Sequence, residues 1–184
     1  MENLKLILLN NDYKLQYLDF IKECEKDIKY NGFECCIPLS TKDTIDNDIM
    51  TLINRHKGVN LPEGWVPDSV LCMFDEFKNN IIGIISIRHR LNENLKFRGG
   101  HIAYYIRPSK RNKGYATKML SFAIEYCKEN LDMDKVLITC SKNNSYSIKT
   151  ILNNGGTLHS EDIDNNEIIQ RYYINLKDKL DEQY

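Results

Sequence analysis

The sequence predicts an α/β (α+β) fold: a mixed, mostly antiparallel central sheet with helices on both faces and one parallel β-α-β crossover. Three observations predict it. Two segments of helical periodicity follow the first strand-like run. An apolar hairpin pattern, VLCMFDEFKNNIIGIISIRHR, occupies 70–90. A strand, an amphipathic helix and a short apolar strand then fill 101–140, and a second hairpin follows. At 184 residues the chain suits one domain, 1–184, with a substantial core.

The elements follow in order. LKLILLN (4–10) reads as the first strand. Asp12 can cap a helix on which Leu15, Leu18, Ile21 and Cys24 or Ile28 recur at helical spacing. A second helix starts near Thr41–Asp43, carries Ile45, Ile49, Leu52 and Ile53, and stops by Gly58. NLPEGWVPDS is a loop around the single tryptophan, Trp65. Strands at 70–76 and 81–90 turn at Lys78–Asn80. LNENLKFRGG is polar, ends in two glycines and reads as a loop. HIAYYI (101–106) is a strand, and 114–129 is a helix with Ala116, Met119, Leu120, Ala123, Ile124 and Cys127 on one face. KVLITC (135–140) is a buried strand, and a helix over 145–154 ends at Gly155–Gly156. The last hairpin spans 157–163 and 168–176, turning at Asp164–Asn166.

Bulk composition excludes several classes. A formal net charge of −1 gives no global field for nucleic acid or an anionic membrane, so any anion site is local. No apolar run approaches the roughly 20 residues that span a bilayer. The N-terminal stretch lacks the basic segment and the cleavage site of a signal peptide, so a cytoplasmic location is expected. The six cysteines form no C-x-x-C pair and have no clustered histidines. Reduced thiols and no metal are therefore expected, with Cys127 and Cys140 in the core.

The segment IRPSKRNKGYATKML (106–120) concentrates Lys110, Arg111 and Lys113 before a glycine and a helix start. A helix N-terminus already favours negative charge, so added cations there point to a bound anion. The same residues resemble the pyrophosphate-binding signature of GNAT-type N-acetyltransferases, Arg/Gln-x-x-Gly-x-Gly/Ala, as Arg111-Asn112-Lys113-Gly114-Tyr115-Ala116. Ile106-Arg107-Pro108 fits the apolar-x-Pro that the family places upstream, and Asn144-Ser145-Tyr146-Ser147 fits its Asn-x-x-Ala element.

The resemblance implies acetyl-CoA as co-substrate. Backbone N–H groups from Asn112 to Ala116, continuing to Thr117, would face its pyrophosphate, with Gly114 allowing close approach. Arg111 and Lys113 would add charge-assisted contacts. Asn144 and Ser147 would complete the cofactor-binding set, and the N–H of Ile106 would help hold the thioester carbonyl. The pantetheine arm would lie where the strand ending at Ile106 splays from the strand at 135–140.

The chemistry departs from the family pattern. The family's acid, a Tyr seven residues after the Asn, falls on Ile151 here. Tyr146 lies nearby at the wrong helical phase. For the base, His101 has the right chemistry, but strand alternation puts it on the face opposite Ile106 unless a bulge intervenes. Glu93, on the preceding loop, is the other candidate, and a water relay with no single base is a third. Arg88 and Arg90 could hold an anionic group on the acceptor, with His89 on the opposite side of the strand. Trp65 could wall the acceptor pocket. The implied function is acetyl transfer to a primary amine of a small, anionic acceptor. The alternatives are a longer acyl group, a hydroxyl acceptor or a non-catalytic acyl-CoA-binding module. The terminal strand QRYYINL could pair across a homodimer interface.

Overall fold

The computed structural model describes residues 3–30, 32–33 and 36–177. Strand β1 (Leu4–Leu8) leads through a 3-10 turn (Asn11–Tyr13) into α1 (Lys14–Tyr30) and α2 (Ile45–Lys57). A hairpin, β2 (Asp68–Asp75) and β3 (Asn80–Arg88), is followed by a short helix, α3 (Glu93–Phe97), and β4 (Ile102–Ile106). A second 3-10 turn (Pro108–Lys110) precedes α4 (Tyr115–Leu131), β5 (Lys135–Ser141) and α5 (Ser145–Leu152). The hairpin β6 (Thr157–Asp164) and β7 (Glu167–Asn175) completes the described fold.

The strands form two antiparallel sheets, ordered β1-β2-β3-β4 and β5-β7-β6. The crossover β4–α4–β5 is present, but no hydrogen-bonded ladder runs along it. Among the described residues, one bridge, Gly100 with Ile138, joins the two sheets there, and its pairing is antiparallel. β7 is paired on both sides, by β5 and by β6. The expectation that QRYYINL pairs across an interface is therefore corrected, because both of its edges are taken.

Alternation along β2 separates two cores. Val70, Cys72 and Phe74 pack under α1 and α2 with Phe20, Ile21, Ile49 and Leu52. Leu71 and Met73 pack under α4 with Met119, Leu120 and Ala123. Helices thus cover both faces. On β3, Ile81 and Ile84 share a face although three residues apart. The cause is a bulge, since the β2 partner shifts from Gly83 at Met73 to Ile81 at Phe74. Gly83 is required there. A Cβ would lie 2.7 Å from Tyr105 O and 3.2 Å from Met119 Sδ, so glycine lets α4 close onto the sheet.

Local differences from expectation have simple causes. Asn10, not Asp12, caps the first turn: its Oδ1 accepts from Asp12 N at 2.8 Å, which ends β1 at Leu8. Leu15 is 72% exposed, because α1 buries Tyr17, Phe20, Ile21, Cys24 and Ile28 instead. LNENLKFRGG contains α3, capped by Asn92 Oδ1 on Leu95 N at 2.9 Å, a helix too short to show periodicity. Cys127 is buried, whereas Cys140 is only half-buried near the end of β5. No helix among the described residues is long and apolar enough to cross a membrane.

Candidate functional site

The basic loop sits where β4 ends and α4 begins. Pro108 opens the 3-10 turn, Asn112 adopts φ 60°, and Gly114 caps α4 at φ 79°. No side chain caps α4 at this end. The first N–H groups of any helix lack intrahelical acceptors, so this turn presents donors to an anion. A Cβ built on Gly114 would meet nothing within 4 Å. Glycine therefore serves no internal packing at this point. It supplies the left-handed turn and leaves the backbone open to close approach.

Both arginines of the loop are held by α1, Arg107 buried and Arg111 exposed. Three acids on α1, Asp19, Glu23 and Asp27, lie four residues apart and so share one face of the helix. Buried Arg107 pairs with Asp19 at 3.0 Å and Glu23 at 2.9 Å, and donates to Ile81 O at 3.1 Å. Ser109 N donates to Glu23 Oε1 at 3.0 Å. Arg111 donates to Ile106 O at 3.0 Å and Asp27 Oδ2 at 2.5 Å, with its guanidinium 5.0 Å from the Tyr105 ring centre. Arg111 therefore fastens the loop to α1 and β4, and Lys110 and Lys113 are the remaining cations of the knot. Lys113 Nζ is exposed and 3.3 Å from Ser109 O. The α1 acids, at i, i+4 and i+8, are the sequence signal that foretells this neutralisation.

The rest of the predicted cofactor set divides by element. Tyr115 is buried in the core and Ala116 packs against it, so these two contribute backbone to the helix start. Thr117 O accepts from Asn154 Nδ2 at 3.1 Å, which ties α4 to α5. Asn144 Oδ1 caps α5 by accepting from Ser147 N at 3.0 Å. The Ser147 hydroxyl lies 2.8 Å from the Tyr104 hydroxyl of β4.

β4 offers an open edge. Arg107 N donates to Ile82 O on β3 at 3.0 Å. By strand alternation, the N–H and C=O groups of Ile106 and Tyr104 then turn toward β5. Among the described residues, the strand bridge on that side is Gly100 with Ile138, before β4 begins. An extended ligand segment can pair with this edge.

His101 seals the closed end of the opening. Its backbone N–H donates to Leu137 O at 2.7 Å, and its ring Nδ1 accepts from Leu137 N at 2.9 Å. In the neutral ring, Nε2 then carries the proton, and the one basic lone pair is engaged. Burial, with the Arg88 charge nearby, pushes the imidazole down to about 4. Gly100 makes the junction possible, since a Cβ there would lie 2.4 Å from Leu137 O at φ +64°. A ring held neutral in the fold and free to protonate once unfolded lowers stability as pH falls from about 6.5 to about 4. Replacing His101 with Gln keeps an acceptor and removes the titration. Between pH 7 and pH 5, the wild type is expected to lose at most about 2 kcal/mol more than His101→Gln, solvent access to the half-buried ring reducing this. Urea unfolding of both at the two pH values measures it; equal pH dependence contradicts the assignment.

The other predicted residues are dispersed. Glu93 is exposed at the start of α3 and pairs with Lys96 at 2.7 Å. Arg88 donates to Gly99 O at 3.2 Å and Gly100 O at 3.1 Å, so it braces the glycine turn. Arg90 is exposed. Trp65 is 45% exposed, with the Arg55 guanidinium 5.2 Å from its ring centre. His89 Nε2 meets buried Ser69 Oγ at 2.8 Å, as do His56 Nδ1 at 2.9 Å and Tyr126 Oη at 3.3 Å. This cluster joins α2, the β2–β3 hairpin and α4. Burial and the neighbouring His56 hold the His89 imidazole below its ordinary range.

The family model for the acetyltransferase (GNAT) domain matches residues 40–157, more than half of the chain. Among curated proteins none matches. Solved structures share the architecture over nearly the whole chain. Ribosomal-protein-S5-alanine acetyltransferase from Vibrio fischeri is 14% identical, with 97% of this chain and 96% of that chain covered and a TM-score of 0.70. Microcin C7 self-immunity acetyltransferase, in complex with acetyl-CoA and AMP, is 16% identical, with 94% and 92% covered and a TM-score of 0.64. Spermidine N-acetyltransferase from Vibrio cholerae, in complex with CoA and spermine, is 16% identical, with 94% and 95% covered and a TM-score of 0.62. With its mixed fold, its open β4 edge and the glycine-capped start of α4, this chain belongs to the GNAT acetyltransferase family.

Proposed function

We propose that the protein transfers an acetyl group from acetyl-CoA to a primary amine by direct attack in a ternary complex. The observation that carries this reading is the exposed, glycine-capped N-terminus of α4 lying next to the unpaired edge of β4. Backbone N–H groups from Asn112 to Thr117 take the pyrophosphate, with Lys110 and Lys113 supplying charge. The pantetheine arm pairs with β4, and the N–H of Ile106 faces the thioester carbonyl, where negative charge develops.

His101 serves as a structural clamp in this reading, and Glu93 as a surface residue. Water then takes the proton of the attacking amine. The acceptor is a small primary amine approaching past Trp65. Since Arg88 is spent on the glycine turn, Arg90 is the one of the two arginines that can meet an anionic group on it.

Turnover tests the reading. Acetyl-CoA is incubated with spermidine, an alanine-initiated peptide and small anionic amines, following thiol release and the acetylated product by mass. Without a side-chain base, kcat/KM for the productive amine is expected to rise about tenfold per pH unit up to that amine's own pKa. A plateau above about pH 7 with a high-pKa amine would instead reveal an enzyme base. Coenzyme binding with no turnover on any amine would make the chain an acyl-CoA-binding module.

A further inference from the structure

We infer that the outer edge of β1 pairs with β1 of a second copy of this chain, joining two β1-β2-β3-β4 sheets into one antiparallel sheet across a two-fold axis at Leu6. The inference does not depend on the coenzyme site. Among the described residues, β1, β4, β5 and β6 each have an unpaired edge. β4 and β5 flank the opening between the sheets, which leaves β1 and β6.

The ladder shows which backbone groups each edge offers. Glu76 N donates to Asn3 O at 3.0 Å, so Asn3, Lys5 and Ile7 turn their N–H and C=O groups toward β2. Those of Leu4, Leu6 and Leu8 then point outward. Lys142 N donates to Ile168 O at 2.8 Å, so Ile169 turns toward its β6 partner Asp162, and Glu161 and Ile163 point outward. A two-fold pairing matches outward residues with outward residues. On β6, every such match of Glu161 and Ile163 sets acid against acid: Glu161 against itself, Asp162 against itself, or Asp162 against Asp164. Like charges directly opposite disfavour pairing, so this edge is protected.

β1 carries no such protection. Matching Leu6 with Leu6 and Leu4 with Leu8 uses the whole strand and places Lys5 opposite Ile7, with no like charges opposed. Lys5 is itself neutralised by Glu76. The side chains suit the same contact. Leu4 and Leu6 are partly buried against the core under α4, and Leu8 is 39% exposed. Beside them a groove of about 300 Å³ runs between β1 and α4, lined by Leu4, Leu6, Phe122, Tyr126, Glu125 and Glu129. The two-fold brings the same groove of the second copy alongside, with its α4 running the opposite way. Lys118 stands one turn before Phe122, its Nζ 5.8 Å from that ring centre, and exposed Glu125 and Glu129 follow. Lys118 of each copy therefore approaches the two acids of the other. This charge complementarity, with leucine against leucine, selects a second copy as the occupant.

Sedimentation equilibrium on the full chain tests this. Wild type is expected to sediment as two 21.6 kDa chains, with a dissociation constant on the order of micromolar. Leu8→Pro removes an outward N–H that the chain's own ladder does not use, so the folded variant should be monomeric. Lys118→Glu should weaken association about tenfold, and adding Glu125→Lys and Glu129→Lys to it should restore the constant to within about threefold of wild type. Circular dichroism checks that each variant is folded; if Leu8→Pro is not, the charge series decides. A wild type that stays monomeric at about 100 µM, a dimer retained by folded Leu8→Pro, or a charge series that leaves the constant unmoved overturns the inference.

Discussion

Replacing Asp68 with Ala is expected to destabilise the protein by about 3–5 kcal/mol. Asp68 and Arg55 form a buried bidentate pair, with Nε–Oδ1 at 2.8 Å and NH2–Oδ2 at 2.5 Å. Their side chains are 4% and 10% exposed. Removing the carboxylate strands a guanidinium away from water, and the buried Ser86 hydroxyl loses its acceptor at 2.8 Å. Arg55 also holds Cys36 O at 3.0 Å and carries Trp65 on its guanidinium face, so the pair anchors segments around the expected acceptor entrance.

For a chain of this size, such a loss lowers Tm by roughly 6–20 °C. Scanning calorimetry of wild type, Asp68→Ala, Arg55→Ala and the double variant measures it. The double variant should lose less than the sum of the singles, because each single leaves one charge buried and unpaired. A loss below about 1 kcal/mol for Asp68→Ala would mean that solvent reaches the pair.

Much of this architecture is legible in the sequence because local physics determines it. The continuous apolar run VLCMF, the 3.6-residue period of α4 and the Asp164–Asn166 turn each depend on near neighbours. Asn165 and Asn166 adopt φ 48° and 66°, as a two-residue hairpin turn requires. The position of Gly114 before a helix is equally local.

Long-range pairing is what the sequence hides. Arg111 lies in the basic knot and looks like an anion ligand, but Asp27 of α1, 84 residues earlier, holds it. His101 has the chemistry of a base, yet Leu137, 36 residues later, takes its lone pair. Arg88 likewise turns to two backbone carbonyls. The Tyr104 hydroxyl meets Ser147 Oγ, 43 residues later, only because α5 packs beside β4. In each case, residue type shows what a side chain can do, and tertiary placement decides which partner it meets.

The second large effect concerns the anion loop. Gly114→Glu is expected to weaken acetyl-CoA binding about a hundredfold or more, since a like charge set against the pyrophosphate costs several kcal/mol. The protein should still fold. A Cβ at Gly114 meets no neighbour within 4 Å, and φ +79° adds only backbone strain of about 1 kcal/mol. Gly114→Ala separates the two effects, because it carries the strain without the charge and should bind more tightly than Gly114→Glu.

Calorimetric titration of acetyl-CoA into folded wild type and Gly114→Glu is therefore the most direct measurement. Micromolar binding by wild type, lost in the variant, is the predicted result. Equal binding by the two proteins, or none by a folded wild type, would contradict a coenzyme cradle at the start of α4.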